Sequence, residues 1–82
     1  MSKIKRDKAK NPNDIEAIIG LGINVRKQRT LKEVTMVQLA GLCEVEYSTI
    51  SKIELGQVNT TITMITRIAK ALRISPCLLL DN

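Results

Sequence analysis

The chain has 82 residues, a net charge of +5 and a single aromatic side chain, Tyr47. This length allows one domain with one aliphatic core, and no apolar stretch approaches the roughly 20 residues of a membrane span. The chain has no His, no Gly-rich phosphate loop and no paired carboxylates in an apolar setting, which argues against an enzyme. The basic N-terminus lacks the apolar run of a signal peptide, so we expect a cytoplasmic protein.

The N-terminal segment carries most of the net charge. Residues 1–11 contain five basic residues and one acidic residue, which is +4 of the total +5. The remaining residues contain eight basic and seven acidic side chains, a net charge of +1. A basic segment without periodicity is typical of a disordered arm that contacts a polyanion or only improves solubility. We assign residues 1–12 to this arm and residues 13–82 to the folded domain.

The first helix is predicted to begin after "NPND", where Asn13 or Asp14 can serve as the N-cap. Apolar residues and a glycine then recur with helical spacing: Ile15, Ile18, Ile19, Gly22 and Val25. We expect this face to be buried. A glycine on it leaves room for another helix to approach closely.

Two short helices follow, joined by a short turn. "TMVQ" is typical of a capping box, in which Thr35 caps the second helix and Gln38 reaches back to it. This helix runs to about residue 43. The third runs from about residue 47 to residue 55 and ends at Gly56. Apolar residues are expected to fill the angle between the two helices: Leu39, Cys43, Val45, Ile50 and Ile53.

The C-terminal part predicts two more helices. Polar residues 57–61 form a loop, and Thr61 caps a fourth helix whose expected buried residues recur at intervals of three and four: Ile62, Ile65, Ile68, Ala69 and Leu72. Ser75 and Pro76 are the cap and first-turn signals of a short fifth helix at residues 77–80. Basic residues of this region are expected to be ordinary solvent-facing charges: Arg67, Lys70 and Arg73.

The two cysteines give no sign of a metal or redox site. Cys43 and Cys77 lie 34 positions apart, and there is no His to join them. We expect both to be small buried side chains without a disulfide. No metal and no cofactor are predicted.

Two short helices joined by a three- or four-residue turn form a helix-turn-helix unit. The spacing of "LA…TISKIELG" resembles the Cro and phage-repressor type of helix-turn-helix domain, often called the xenobiotic-response-element family. The resemblance covers roughly residues 18–80 and includes, in order, "NVRKQR", "ISKIELG", "IAKALRIS" and "LLL". It implies an all-α, compact five-helix lambda-repressor-like domain whose helix-turn-helix is formed by helices 2 and 3.

Three residues depart from the usual pattern of that family. Glu44 in the turn and Glu33 before helix 2 stand where the family often has Gly. The turn position often requires a positive φ, which costs Glu about 1 kcal/mol. Met36 stands where family members commonly have a Gln that contacts phosphate.

In the resembling family the exposed side of the third helix enters the DNA major groove. With Ile50 and Ile53 on the buried side, Ser48 and Lys52 point away from the core and Tyr47 lies on the flank. The alternatives are that Tyr47 packs against neighbouring helices and that Lys52 is simply solvated. The predicted DNA-binding residues are Thr35, Glu46, Tyr47, Ser48, Thr49, Ser51, Lys52, Gln57 and Asn59.

The resemblance further implies an ion pair between Arg29, at the end of helix 1, and Glu54, at the end of helix 3. The short terminal helix cannot bury three consecutive leucines, residues 78–80, so we expect a homodimer that covers at least one of them. We predict a sequence-specific transcriptional regulator, a repressor or controller, that binds double-stranded DNA as a homodimer on a two-fold operator. The alternative is a protein-interaction module, such as an antitoxin-like partner, built on the same helical body.

Overall fold

The computed structural model describes residues 12–81, so the basic residues 1–11 of the predicted arm lie outside the described part. The helices of this part are α1 (Pro12–Leu31), α2 (Met36–Cys43), α3 (Tyr47–Glu54), α4 (Ile62–Leu72) and α5 (Cys77–Leu80). Residues 12–81 contain no strand, so the predicted all-α class is confirmed. None of the helices within this range combines the length and the low polarity that crossing a membrane requires.

The helices enclose one aliphatic core. Helix α3 packs against α1 and α2, while α2 also contacts α4, and α5 packs on α1. Every helix contributes at least one side chain that is essentially inaccessible to solvent: Val25, Leu39, Cys43, Ile50, Ile53, Ile68, Leu72 and Leu79. The lone aromatic ring is outside this core, since Tyr47 is 49% exposed.

Local capping signals place the helix starts. The Oγ1 atom of Thr35 accepts from the Gln38 amide at 3.0 Å, and the Thr35 amide donates to Gln38 Oε1 at 2.8 Å, which confirms the capping box. Thr61 Oγ1 accepts from the Met64 amide at 3.1 Å. Helix α1 begins at Pro12, so the predicted cap at residue 13 or 14 is wrong. Proline suits the first turn because its φ is already helical and its missing N–H has no partner to lose there.

The first four helices end in the same way, and only one of them uses glycine. Glu33, Glu44 and Arg73 have φ values of 59°, 59° and 60°, and Gly56 has a φ of 70°. In each case the following amide donates to a carbonyl five residues back, as in Val45 N to Ala40 O at 3.0 Å. This is the hydrogen bond of a Schellman motif. The expected left-handed Glu44 is therefore confirmed.

Several residues expected in the core lie at the surface. On α1 the buried residues are Leu21, Gly22 and Val25, whereas Ile15 and Ile19 are exposed because none of the helices within residues 12–81 packs over that flank. Ile62, expected to be buried, is also exposed because it occupies the first turn of α4, ahead of the buried part of that helix.

The cysteines differ from each other. Cys43 is buried as predicted, and burial raises the pKa of its thiol, so it stays protonated at neutral pH. Cys77 is exposed, contrary to the prediction, because α5 is one turn long and buries only Leu79. Both thiols are free.

Candidate nucleic-acid interface

The C-terminal end of α3 is held by an ion pair with α1. Arg29 Nε lies 2.6 Å from Glu54 Oε2, and Arg29 Nη2 lies 3.0 Å from Glu54 Oε1, so the contact is bidentate. Arg29 Nη1 also donates to the Val34 carbonyl at 2.8 Å. The two side chains are 13% and 5% exposed. The hydrogen bond to Glu54 raises the pKa of Arg29, and the predicted ion pair is confirmed.

A glycine lets the two helices approach closely at the same place. A Cβ atom on Gly22 would overlap the carbonyl oxygen of Ile53 and lie 2.7 Å from that of Glu54. The close approach predicted for a buried glycine of helix 1 is therefore present. It brings the end of α3 against the backbone of α1, which restrains the direction of the whole eight-residue helix.

The free side of α3 carries the polar residues that the sequence predicted there. Ile50 and Ile53 are buried, while Ser48 and Lys52 are exposed. Tyr47 stands half-exposed at the first position of the helix, near enough to Arg29 to contribute to the raised pKa of that guanidinium. The Ser48 hydroxyl and the Lys52 ammonium group thus lie on the side opposite the core, and the Tyr47 phenol lies on its flank.

The start of α2 offers donors to an anion. Thr35 is exposed, and its hydroxyl oxygen already accepts from Gln38, so its O–H proton remains available for a second partner. The first amides of a helix have no intrahelical acceptor and carry partial positive charge. Gln38 itself is held in the capping box. Only its Oε1 atom serves the cap, but the side chain lies two positions after Met36 on another face of α2, so it does not replace the phosphate-contacting Gln of the family pattern.

Glu46 is the N-cap residue of α3, but its side chain makes no capping hydrogen bond. Its backbone carbonyl accepts from the Thr49 amide at 3.0 Å. The exposed carboxylate would repel a phosphate, yet it can accept from the amino group of cytosine in the major groove. Glu46 therefore suits a base contact and not a backbone contact.

The loop after α3 is anchored by the Gln57 backbone amide and by the Val58 side chain. Gln57 N donates to the Lys52 carbonyl at 2.9 Å, which closes the end of α3. Val58 packs against the core, and Gln57 and Asn59 on either side of it are exposed. The packing of Val58 against the core keeps these two amide side chains next to the C-terminal end of α3.

The predicted site residues are therefore arranged along consecutive elements. Most are exposed, namely Thr35, Glu46, Tyr47, Ser48, Lys52, Gln57 and Asn59, while Thr49 and Ser51 are partly buried. Their contact with DNA stays a prediction.

Sequence reasoning missed one supporting contact. Arg67, expected to be an ordinary solvent-facing charge, donates from Nη1 to the Cys43 carbonyl at 3.3 Å. A cation at a helix C-terminus is stabilising, but here the cation comes from α4 and the C-terminus belongs to α2. The pattern of either helix alone carries no signal for this contact.

Comparisons with known proteins agree with this geometry. A family model described as "Helix-turn-helix" matches residues 25–79, and no curated protein sequence matches the chain significantly. The structure is similar to that of the restriction-modification controller protein C.AhdI from Aeromonas hydrophila, with a TM-score of 0.73 and 32% identity over 76% of this chain and 94% of that one.

Two further solved structures are similar. The clp gene regulator ClgR from Corynebacterium glutamicum has a TM-score of 0.76 and 26% identity, covering 78% of this chain and 82% of that one. The hypothetical transcription factor NHTF from Neisseria has a TM-score of 0.75 and covers 98% of this chain and 86% of that one, but at 21% identity it shows the fold alone. Together these matches confirm the predicted five-helix lambda-repressor-like domain.

Proposed function

We propose a function from the family of this chain, which belongs to the helix-turn-helix family of DNA-binding transcription regulators, a family of transcription factors and not of enzymes. The proposed function is that of a cytoplasmic repressor or controller that binds a two-fold operator as a homodimer. The observation that supports this proposal most is the polar side of α3. Ser48 and Lys52 project from a helix whose opposite side, Ile50 and Ile53, is fully packed. The similarity to a controller protein supports the regulatory role.

We assign the base contacts to the first two turns of α3. In this type of domain the N-terminal residues of the second helix lie closest to the base edges. Tyr47 and Ser48 offer short hydroxyl contacts, and Lys52 reaches further along the same side. The Glu46 carboxylate repels phosphate and accepts a hydrogen bond from a base amino group. Thr49 and Ser51, being partly buried, make the lesser contacts of this set.

We assign the phosphate contacts to the elements on either side of α3. The Thr35 hydroxyl and the first amides of α2 suit one phosphate. Gln57 and Asn59 suit the backbone beyond the other end of the helix. These contacts position the protein on the duplex but do not read the sequence.

The basic arm supplies the electrostatic attraction that the domain lacks. The residues after the arm carry eight basic and seven acidic side chains, so they attract DNA little. Asp14 and Ala17, in the first turns of α1, line the same groove as Asn59 and Thr60. Helix α1 therefore begins beside the loop assigned to phosphate.

The arm has its own test. Deleting residues 1–11 should weaken binding to all DNA sequences alike and flatten the dependence of log K on log salt by about one unit per lost phosphate contact. An unchanged slope would mean that the segment only improves solubility.

We place the dimer contact at the C-terminal end. Leu79 is buried, while Leu78 and Leu80 on either side of it are exposed. Asn24 Nδ2 donates to the Leu79 carbonyl at 3.0 Å and to the Asp81 carbonyl at 2.9 Å, which fastens α5 to α1. The exposed leucines are thus presented on a fixed element, as a self-complementary interface requires. A chain that sediments as a monomer at tens of micromolar, both free and with DNA, would contradict this placement.

The central experiment begins with selection of bound sites from a random DNA pool, followed by affinity measurements on the selected duplex. Two-fold symmetric sites are expected, with half-sites about 34 Å apart. Lys52→Ala should weaken binding at least several-fold, whereas Lys70→Ala, an exposed lysine on α4, should change it little. Equal effects of the two substitutions would place the DNA elsewhere on the molecule.

The same measurements distinguish the protein-interaction alternative. Weak binding that selects no sequence and does not respond to salt, together with a tight complex with another protein, would favour an antitoxin-like module. Fold similarity alone does not decide between these functions.

A further inference from the structure

Helix α1 is apolar on two sides, and the core covers only one of them. Ile15, Ile19 and Ile23 follow each other at intervals of four residues, so they form one ridge along the helix. They are 41%, 46% and 58% exposed, and none is among the buried residues of α1. We call these three residues the isoleucine ridge. A contiguous row of exposed apolar side chains on a surface helix is typical of an interaction site.

The isoleucine ridge lies next to a well-packed part of the fold. Ile19 packs against Gly56, whose φ of 70° ends α3, and the neighbouring Leu55 is 61% exposed. The apolar area thus extends from α1 onto the end of α3. Because this end of α3 is held by the Arg29–Glu54 ion pair, the area does not depend on a mobile loop.

Two charges beside the isoleucine ridge indicate what covers it. Glu16 and Lys27 are eleven residues apart, which is about three helical turns, so they border the isoleucine ridge on the same side. Within residues 12–81 neither has a salt-bridge partner. In a parallel two-fold pair of α1 helices this flank of one copy would face the opposite flank of the other, so Glu16 would not meet Lys27. An antiparallel pair with Ile19 facing Ile23 brings Glu16 of each copy next to Lys27 of the other.

We propose that the isoleucine ridge binds a second copy of this chain through an antiparallel contact of the two α1 helices. The contact is isologous, since Ile19 meets Ile23 and Ile23 meets Ile19, as a two-fold axis requires. It is separate from the α5 contact of the proposed DNA-binding dimer, because Asn24 and the residues against α5 lie on another side of α1. The contact therefore does not itself depend on the proposed function.

With both contacts present, this second interface joins one dimer to the next. Two different isologous interfaces on one chain build either a closed tetramer or an open row of dimers. A contact formed by a few isoleucines and one charge pair on each side is small compared with the roughly 800 Å² per partner of a stable complex. It should therefore act mainly at high local concentration, as when dimers occupy neighbouring sites on DNA.

The test is sedimentation velocity of the full chain over a concentration series up to hundreds of micromolar. The wild-type chain should form species larger than the dimer as the concentration rises, and Ile23→Glu should remove them. Leu42→Glu is the matched control, because Leu42 is 59% exposed on α2, away from the isoleucine ridge. Both substituted positions are at the surface, and circular dichroism would show that both variants remain folded.

Charge reversal tests the register without touching the isoleucines. Glu16→Lys and Lys27→Glu should each weaken the larger assembly about two- to fivefold, and the two together should restore it. Additive weakening in the double variant would overturn the antiparallel pairing. The same sedimentation profile for the wild-type chain and Ile23→Glu at every concentration would overturn the contact altogether.

Failure of the proposed function has a different signature. If Ile23→Glu turns a dimer into a monomer, the α1 contact is supported and the α5 dimer is refuted. If no variant binds any selected DNA while the larger assembly still responds to Ile23→Glu, the regulatory function fails and the α1 contact stands.

Discussion

The two ends of helix α3 are built differently. Its C-terminal end is held by the Arg29–Glu54 ion pair, by the close approach at Gly22 and by the left-handed Gly56. Its N-terminal end begins at Glu46, whose side chain makes no capping bond, and continues into the half-exposed Tyr47. One helix of eight residues thus separates the part that stabilises the fold from the part assigned to recognition.

This separation has a physical advantage. Residues that read a base must be exposed, and exposed residues contribute little to stability. They must also be held in place, because a binding group loses effect when its support is loose. Restraining the far end of a short rigid helix meets both demands. Substitutions at the two ends should therefore separate stability from binding.

The largest effect is expected from Arg29→Met. It leaves the nearly buried Glu54 carboxylate unpaired and removes the donor to the Val34 carbonyl. The free energy of unfolding should fall by about 3 kcal/mol or more. Urea denaturation measures it, and adding Glu54→Leu should recover most of the loss because no charge then stays buried. A loss below about 1 kcal/mol would mean that the pair behaves as a surface ion pair.

The next effect compares two glycines inside helices. Gly22→Ala places a methyl group against the carbonyls of Ile53 and Glu54 and should destabilise the domain by about 1 to 3 kcal/mol. Gly41→Ala is the matched control, since nothing lies within 4 Å of the added Cβ atom. It should stabilise the domain by about 0.5 to 1 kcal/mol, because alanine favours the helix. Effects of the same sign in thermal melting would contradict the close approach of α1 and α3.

At the other end of α3, Tyr47→Ala should weaken binding to the selected operator by about 1 to 3 kcal/mol with little change in melting temperature. Tyr47→Phe keeps the ring and removes the hydroxyl, so it shows which part of the side chain contributes. A large drop in melting temperature with a proportionate loss on every DNA would assign the ring to the fold. Ser48 and Lys52 would then carry the recognition.

The smallest effect concerns the turn that leads into α3. Glu44 adopts a φ of 59°, which glycine adopts without strain. Glu44→Gly should stabilise the domain by up to about 1 kcal/mol. Glu44→Ala removes the charge but keeps the strained backbone, so it should give no such gain. If the two variants are equally stable in urea, the side-chain charge and not the backbone limits the stability of this turn.

Much of the architecture could be predicted from local patterns. The capping box of Thr35 and Gln38 and the glycine stop at Gly56 placed the helix-turn-helix within a residue of its observed bounds. The left-handed Glu44 followed from the family resemblance, as did the Arg29–Glu54 pair, which joins residues 25 positions apart. Without that resemblance the pair had no signal in the spacing of either helix.

The surface of the molecule was harder to predict than its elements. Ile15, Ile19 and Ile62 have the spacing of core residues but are exposed, and Cys77 is exposed although it lies among apolar neighbours. The spacing of apolar residues indicates that a helix has an apolar side. It does not indicate how much of that side another element covers.

The sequence by itself therefore determined the bounds of α2 and α3 and the start of α4, because their capping hydrogen bonds join residues no more than five positions apart. Only the tertiary structure decided which apolar side chains are covered and where Arg67 bonds, since the covering element comes from another part of the chain. Burial is a property of two surfaces in contact, and a pattern along one helix describes only one of them. For that reason only the structure shows that the isoleucine ridge of α1 is exposed, since α3 and α5 pack on other sides of the helix.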